Sequence, residues 1–385
     1  MLAGFAAFLD LYATQPLLPF LARTFHASNF DVSLTVTAPT VAVAIAAPFV
    51  GRLADRVGLR HMIVGSAFAL AITTALAATS TTLHQIIFWR FMQGVVTPGV
   101  FASAVAYIHE VWPASHAGRA TAAYMSGTII GGFTGRVVAG LMAADVNWQA
   151  AFIALATLNA AVAIALAIWL PREERHTSRH MAAGDAGHRG SFAAHFRNTR
   201  LATTYVVGFS VLFTQVAMFT YVTFYLAAPP FNLSTVALGW LFVVYLLGAA
   251  VTPISGHWID RHGHRTGIGS AMAIGGAGAL LTLVPWLPAI VFGLALAATG
   301  VFIAQATASS YIGAVTTKDR GLAVGLYSTF YYAGGSAGSA LPSAVWSLWG
   351  WPGCVALVVA VQSAGAAVAF TQWTTTTDSR LPTLD

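Results

Sequence analysis

Charge is the scarcest thing in this chain. Charged residues make up 8% of its 385 residues, against about a quarter in soluble domains. Twelve acidic and 18 basic side chains are too few to clothe a globule of this size, which argues against an ordinary soluble enzyme. Lysine is almost missing: the single one, Lys318, follows Thr316-Thr317, so there is no Gly-Lys-Ser/Thr phosphate loop. Energy for any transport must then come from an ion gradient or from a partner's ATPase. Cysteine is present once, as Cys354, which excludes an intrachain disulfide and a cysteine-rich metal site. The twelve histidines form no His-Glu-x-x-His pattern, and His176 and His180 read as solvated loop residues, so no metal and no cofactor is expected. Neither Ser126 nor Ser210 sits in a Gly-x-Ser-x-Gly context, and no nucleophile, base and orienting group stand together as an enzyme would need.

What the chain has is apolar length. Hydrophobic residues reach 57% and the mean hydropathy is +0.73. A membrane-spanning helix needs about 20 apolar residues, so twelve would use about 240 and leave about 145 for connections. Apolar runs separated by polar breaks predict twelve spans near 2–22, 34–52, 61–80, 84–107, 119–142, 148–170, 201–226, 236–256, 265–286, 288–312, 321–346 and 351–373. The first is expected to be a retained span and not a cleaved signal, since it lacks a positive leader and contains Asp10. The fold class expected is an all-α polytopic membrane protein. Its domains would be an N-terminal six-helix bundle over 1–170, a linker loop over 171–200 and a C-terminal bundle with a short tail over 201–385.

The net charge of +6 does not point to nucleic acid, because the basic residues sit in short connectors. With the N-terminus inside, fifteen of the 18 basic residues fall on inside connectors, Arg23 alone falls outside, and Arg90 and Arg136 lie within spans. Positive residues concentrate on the cytoplasmic side. Both termini are therefore expected in the cytoplasm, with the chain in the inner (plasma) membrane, probed by its lipid bilayer on all sides and acting as a monomer.

The two halves echo each other. Gly51-Arg52-Leu53-Ala54-Asp55-Arg56-Val57-Gly58-Leu59-Arg60 recurs, 205 residues on, as Gly256-His257-Trp258-Ile259-Asp260-Arg261-His262-Gly263-His264-Arg265. Tyr124, Gly131-Gly132, Gly135 and Trp148 recur 203 residues on as Tyr327, Gly334-Gly335, Gly338 and Trp351. Parallel halves of this kind are a transporter architecture. The Gly51–Arg60 segment resembles the helix 2–3 signature of the major facilitator superfamily, with Leu59 where a basic residue is common and Arg60 directly after it. Arg90-Phe91-Met92-Gln93-Gly94 resembles that family's helix 4 motif, and Asp10 with Pro16 and Pro19 resembles the helix 1 acidic motif of its drug:proton antiporters. On helix 5 the antiporter pattern Gly-Pro-x-x-Gly-Gly is replaced by Gly131-Gly132-Phe133-Thr134-Gly135-Arg136; the proline is gone, but the glycine spacing that lets helices approach is kept. The resemblance implies twelve helices in two pseudo-symmetric bundles and secondary transport by alternating access.

Three charges lie inside spans, where they are costly and face a cavity or one another. At 1.5 Å per residue Asp10 lies about 13 Å from the inside end, Arg90 about 9 Å from the outside and Arg136 about 25 Å from the inside. Asp10 is the expected proton-coupling carboxylate and Arg90 the residue that tunes it; the bland alternatives are a fixed ion pair for Asp10 and an anchor to backbone or Gln93 for Arg90. Arg136 offers a fork of donors to an anionic group, or else compensates Asp10 or Asp145. Gln15, Gln93, Gln215 and Gln305, one on each of helices 1, 4, 7 and 10, are expected at the substrate cavity. Asp55/Arg56/Arg60 and Asp260/Arg261/Arg265, with Gly51, Gly58, Gly256 and Gly263, are expected to form cytoplasmic gates through charge-assisted bonds to helix ends. Gly131, Gly132 and Gly135 are expected to serve helix packing. The function anticipated is proton-coupled efflux of a small organic molecule, with protons and that substrate as partners. The alternatives are a proton symporter or uniporter for a sugar or small organic anion, and a non-transporting receptor or scaffold.

Overall fold

The computed structural model describes residues 1–171, 197–316 and 320–373. Most of the expected linker therefore lies outside the described residues, as do His176, His180 and Lys318. The described chain is helical throughout, and its helices account for the twelve expected spans.

The first span is broken. Helix α1 (Leu2–Leu9) ends at Asp10; a turn and a short 3-10 segment, Gln15–Leu17, lead into α2 (Leu18–Thr24). Pro16 and Pro19 explain the break, since each lacks the N–H that a continuous helix would donate four residues back. Helices α3 (Asn29–Val57), α4 (Leu59–Ala78), α5 (Leu83–Val111), α6 (Ala114–Asp145) and α7 (Trp148–Trp169) complete the first six spans. The second six are α8 (Thr199–Ala227), then α9 (Thr235–Trp240) joined through Leu241–Val243 to α10 (Val244–His262), then α11 (His264–Leu281), α12 (Leu287–Val315), α13 (Arg320–Ala340) and α14 (Pro342–Gln372). The last contains Gly350 at φ 59°, ψ −146°, a kink that separates its first leg, which extends span eleven, from span twelve. Among the described residues eight helices are by themselves long and apolar enough to cross a membrane; the breaks in spans one and eight and the many glycines of α11 explain most of the shortfall.

Several helices outrun their apolar runs. The helix α3 begins at Asn29, not near 34, because Ser28 and Asp31 form a reciprocal cap in which Ser28 Oγ accepts from Asp31 N–H and Asp31 accepts from Ser28 N–H. Thr82, Asn147 and Ser234 cap α5, α7 and α9 from one side only, each side chain accepting from a backbone N–H three residues on. Apolarity sets the length in lipid, whereas caps set where the backbone ladder ends. The turn between α3 and α4 passes through Gly58 at φ 90°, and that between α10 and α11 through Gly263 at φ 84°. Both values are comfortable for glycine and strained for other residues, so the repeated motif folds into the same turn twice.

The chain forms two compact units, Met1–Gly190 with Val222–Val243, and Ser191–Tyr221 with Val244–Asp385. In the first, Gly131 and Gly135 of α6 lie so close to the carbonyls of Phe5 and Leu9 in α1 that a Cβ at either would overlap them. In the second, Gly334 and Gly338 of α13 meet the carbonyls of Phe209 and Phe213 in α8 in the same way. Small residues at crossings are how helices gain packing contact where lipid removes the hydrophobic drive. Ile72, Ile153, Ile164 and Ile168 stand exposed, a surface that suits lipid and would be a liability in water.

Candidate functional site

The break in the first span frees backbone acceptors inside the first unit. Gln15 N–H, which would bond Leu11 O in a continuous helix, donates instead to Tyr12 O at 3.1 Å. A second carbonyl is freed in α3, where Pro39 has no N–H for Thr35 O. Unsatisfied backbone groups cost several kcal/mol in a membrane interior. Arg90, on α5 and fully buried, collects them. Its Nη2 donates to Leu11 O (2.6 Å), its Nη1 to Asp10 O (2.8 Å) and its Nε to Thr35 O (2.9 Å). Nη1 also donates to Gln93 Oε1, one turn along α5, at 2.5 Å. The guanidinium fork thus ties together the broken span, α3 and its own helix.

The Asp10 side chain is held by other groups. Thr74 Oγ1 of α4 donates to Asp10 Oδ2 at 2.5 Å, and Asn159 Nδ2 of α7 donates to the same oxygen at 2.7 Å. Both donors are neutral, and among the described residues no guanidinium nitrogen is hydrogen-bonded to the carboxylate. Arg90 reaches it only in series: Gln93 Nε2 donates to Thr74 Oγ1 at 3.0 Å, so Arg90, Gln93, Thr74 and Asp10 form one donor chain pointing at the acid. Thr74 also lies 2.7 Å from Leu70 O; its single proton serves either Leu70 or Asp10. Asp10 is 2% exposed, and its Oδ1 is buried with no hydrogen-bond partner among the described residues, as is Asn159 Oδ1.

A second cluster lies at the far end of the same break. Arg136 of α6 donates from Nε to Gln15 Oε1 at 2.9 Å and from Nη1 to Gly132 O of its own helix at 2.8 Å. Its guanidinium carbon lies 5.2 Å from the Tyr12 ring centre and 4.5 Å from that of Phe242. These contacts involve neither Asp10 nor Asp145, which stands exposed at the end of α6.

Of the residues singled out from sequence, Asp10, Arg90 and Gln93 come together in one network, and Gln15 and Arg136 in its neighbour. Gln305 is half-buried in the second unit, where its Oε1 accepts from Tyr331 Oη at 2.9 Å; Gln215 is half-buried on α8. In the first motif copy Gly51, Asp55 and Arg56 are exposed. Arg60 donates to the end of α7, from Nε to Leu170 O at 2.8 Å and from Nη2 to Ala167 O at 2.6 Å. In the second copy Gly256 lies within α10, Arg261 is exposed, and the guanidinium of Arg265 lies 5.3 Å from the ring centre of Phe370; the side chain of Asp260 lies outside the described residues.

Two members of the network carried no flag in the sequence reading. Asn159 had one to offer: it is a lone amide in Phe152–Leu166, and a buried amide in an apolar span seeks a partner. Thr74 had none, because threonines in membrane helices routinely bond the carbonyl one turn back. A cavity of about 520 Å³ elsewhere in the unit, between Met1, Tyr107, Trp112 and Trp169, does not include these residues in its lining.

The sequence comparisons agree with this architecture. The family model described as Major Facilitator Superfamily matches residues 1–237 and 226–383. The MFS-type transporter YybF of Bacillus subtilis is 30% identical over 356 residues, covering 92% of this chain and 88% of that one. The inner membrane transport protein YnfM of Escherichia coli is 30% identical, covering 92% of this chain and 85% of its own. In fold, the chain resembles the crystal structure of a bacterial homologue of the human lysosomal transporter Spinster, with a TM-score of 0.77 and 14% identity over 96% of this chain and 94% of that one. The chain belongs to the Major Facilitator Superfamily and is a multi-pass membrane transporter of that family.

Proposed function

We propose that this transporter is a proton-coupled exporter of a small organic molecule, working as a monomer in the inner membrane with both termini in the cytoplasm. One observation carries the reading: among the described residues the buried Asp10 carboxylate is bonded by the neutral donors Thr74 and Asn159, while the nearby Arg90 is committed to backbone carbonyls and Gln93. A carboxylate so placed can change charge without dismantling the helix contacts, since Arg90 holds the break in either state. Taking up a proton from outside removes a buried charge at the hinge-like gap of the first span. Losing it to the cytoplasm restores the charge, and each change alters the relative stability of outward- and inward-open states. Substrate leaves on the opposite stroke. The name of YnfM supports the inner membrane, and the arginine distribution supports the orientation.

Arg136 and Gln15, with the Tyr12 and Phe242 rings against the guanidinium, form the polar end of the proposed substrate site in the first unit; Gln93 is a further candidate to line it. Two buried arginines stand against one buried carboxylate among the described residues, which favours a neutral or anionic substrate over a cationic one. Arg60 and its counterpart cluster act at the cytoplasmic gate, Arg60 through the carbonyls at the end of α7.

The test is transport in proteoliposomes, after a thermal-shift screen of drugs, sugars and organic anions has supplied a ligand. An inside-acid gradient is expected to accelerate uptake of that ligand from outside, and Asp10→Asn is expected to abolish the acceleration while leaving the thermal shift in place. Acceleration that survives Asp10→Asn removes Asp10 from coupling.

A further inference from the structure

We infer that Asn159 is the second half of the proton site: the proton that Asp10 carries lies between Asp10 Oδ1 and Asn159 Oδ1, in a closed acid–amide pair. This rests on the reading of Asp10 as the coupling carboxylate and assigns the residue that receives its acidic hydrogen.

Both residues are buried, Asn159 completely. One bond between them is already in place, from Asn159 Nδ2 to Asp10 Oδ2 at 2.7 Å. Each side chain then has a remaining oxygen, and both oxygens are buried with no hydrogen-bond partner among the described residues. Buried acceptors without a donor are rare and call for an explanation. With Asp10 ionised neither oxygen can satisfy the other, because a carboxylate and an amide carbonyl both only accept. One added proton resolves both at once. It bonds to Asp10 Oδ1, neutralises the carboxylate, and donates to Asn159 Oδ1, while the amide N–H continues to donate to Asp10 Oδ2. On release the O–H bond breaks, its electron pair stays on Asp10, and the proton returns to water.

The other neighbours do not compete for this hydrogen. Thr74 and Asn159 both address Oδ2, which leaves Oδ1 to the proton. Of the groups around Asp10, α4 contributes Thr74 and α7 contributes Asn159, neither of which titrates near neutrality. From α5 Arg90 is the charged neighbour, with Tyr12 of the same break near it. Asn159 thus acts on the proton through Asp10 and is a positioning residue.

The experiment is pH-difference infrared spectroscopy on the full chain in lipid, with asparagine labelled by ¹³C at its side-chain carbonyl. Acidification is expected to produce a carboxylic C=O band that is missing in Asp10→Ala. Together with it, a labelled amide C=O band is expected to move to lower frequency, and this movement is expected to vanish in Asn159→Gln, where position 159 carries no label. Asn159→Asp serves the same assignment if the glutamine variant does not fold. An Asp10 acid band with no labelled amide moving overturns the role of Asn159 and leaves Asp10 standing. Absence of any Asp10-dependent acid band overturns both.

Discussion

The two halves have the same helices and different chemistry. Their glycine crossings set the correspondence: Gly135 meets Leu9 as Gly338 meets Phe213, so the residue after each, Asp10 and Thr214, occupy equivalent places. The fourth helices of the halves are equally long, Leu83–Val111 and Leu287–Val315, which matches Arg90 to Leu294 and Gln93 to Ala297. The 205-residue offset of the repeated motif matches Thr74 to Ala279, and the 203-residue offset of Tyr124/Tyr327 and Trp148/Trp351 matches Arg136 to Ser339 and Asn159 to Gln362. Each charged member of the first network thus has an uncharged equivalent. The first span is broken at Asp10, whereas its counterpart α8 runs unbroken over Thr199–Ala227, so no cluster of carbonyls there calls for a guanidinium. The duplication supplies a scaffold twice; a first span broken at an acid belongs to one copy.

The sharpest way to break this comparison is Arg90→Lys against Leu294→Met. A lysine keeps the charge and loses the fork, stranding two or three carbonyls at about 1–3 kcal/mol each. Roughly 3 kcal/mol or more of stability is expected to go, together with transport. The counterpart swap conserves volume and is expected to cost less than about 1.5 kcal/mol. Thermal unfolding in detergent compares them; equal losses would show that Arg90 is not the organiser of its half.

A smaller effect sharpens the shared scaffold. Gly135→Val and Gly338→Val each force a side chain against a carbonyl of the neighbouring helix. Each is expected to cost about 1–3 kcal/mol, as overpacking does, and the two losses are expected to agree within about 1 kcal/mol. Thermal unfolding of the two variants side by side checks this, and a loss in only one half would mean that the crossings are not equivalent. The smallest effect is expected at Thr214→Val. Thr214 Oγ1 is buried with no hydrogen-bond partner among the described residues, and replacing such a group by an apolar one of the same shape is nearly neutral. Unfolding within about 0.5 kcal/mol of the parent and unchanged gradient-driven uptake are expected, in contrast to Asp10→Asn. A loss of coupling at Thr214→Val would place chemistry in the second half as well.

Much of the site was legible because charge is so scarce. Asp10, Arg90 and Arg136 stand out in apolar runs, and Gln93 lies one turn from Arg90. Depth arithmetic placed Arg90 outward of Asp10, but its long side chain reaches the carbonyls of Asp10 and Leu11. Asn159 carried the same signal as the glutamines and lies 149 positions from Asp10, a pairing that no local pattern contains. Thr74 is indistinguishable in sequence from Thr73, which bonds its own helix at Ala69 O.

Composition and order of residues sufficed for the number of spans, their doubling and the family, because lipid demands a fixed apolar length and because motifs with a glycine at positive φ repeat only when the turn repeats. Packing alone decided what the buried charges bond. A proline inside a helix frees the carbonyl one turn back, but which donor takes it depends on the helix that happens to lie alongside. Here that donor is Arg90, drawn to Leu11 and Thr35 and away from the carboxylate of Asp10, which is left to Thr74 and Asn159.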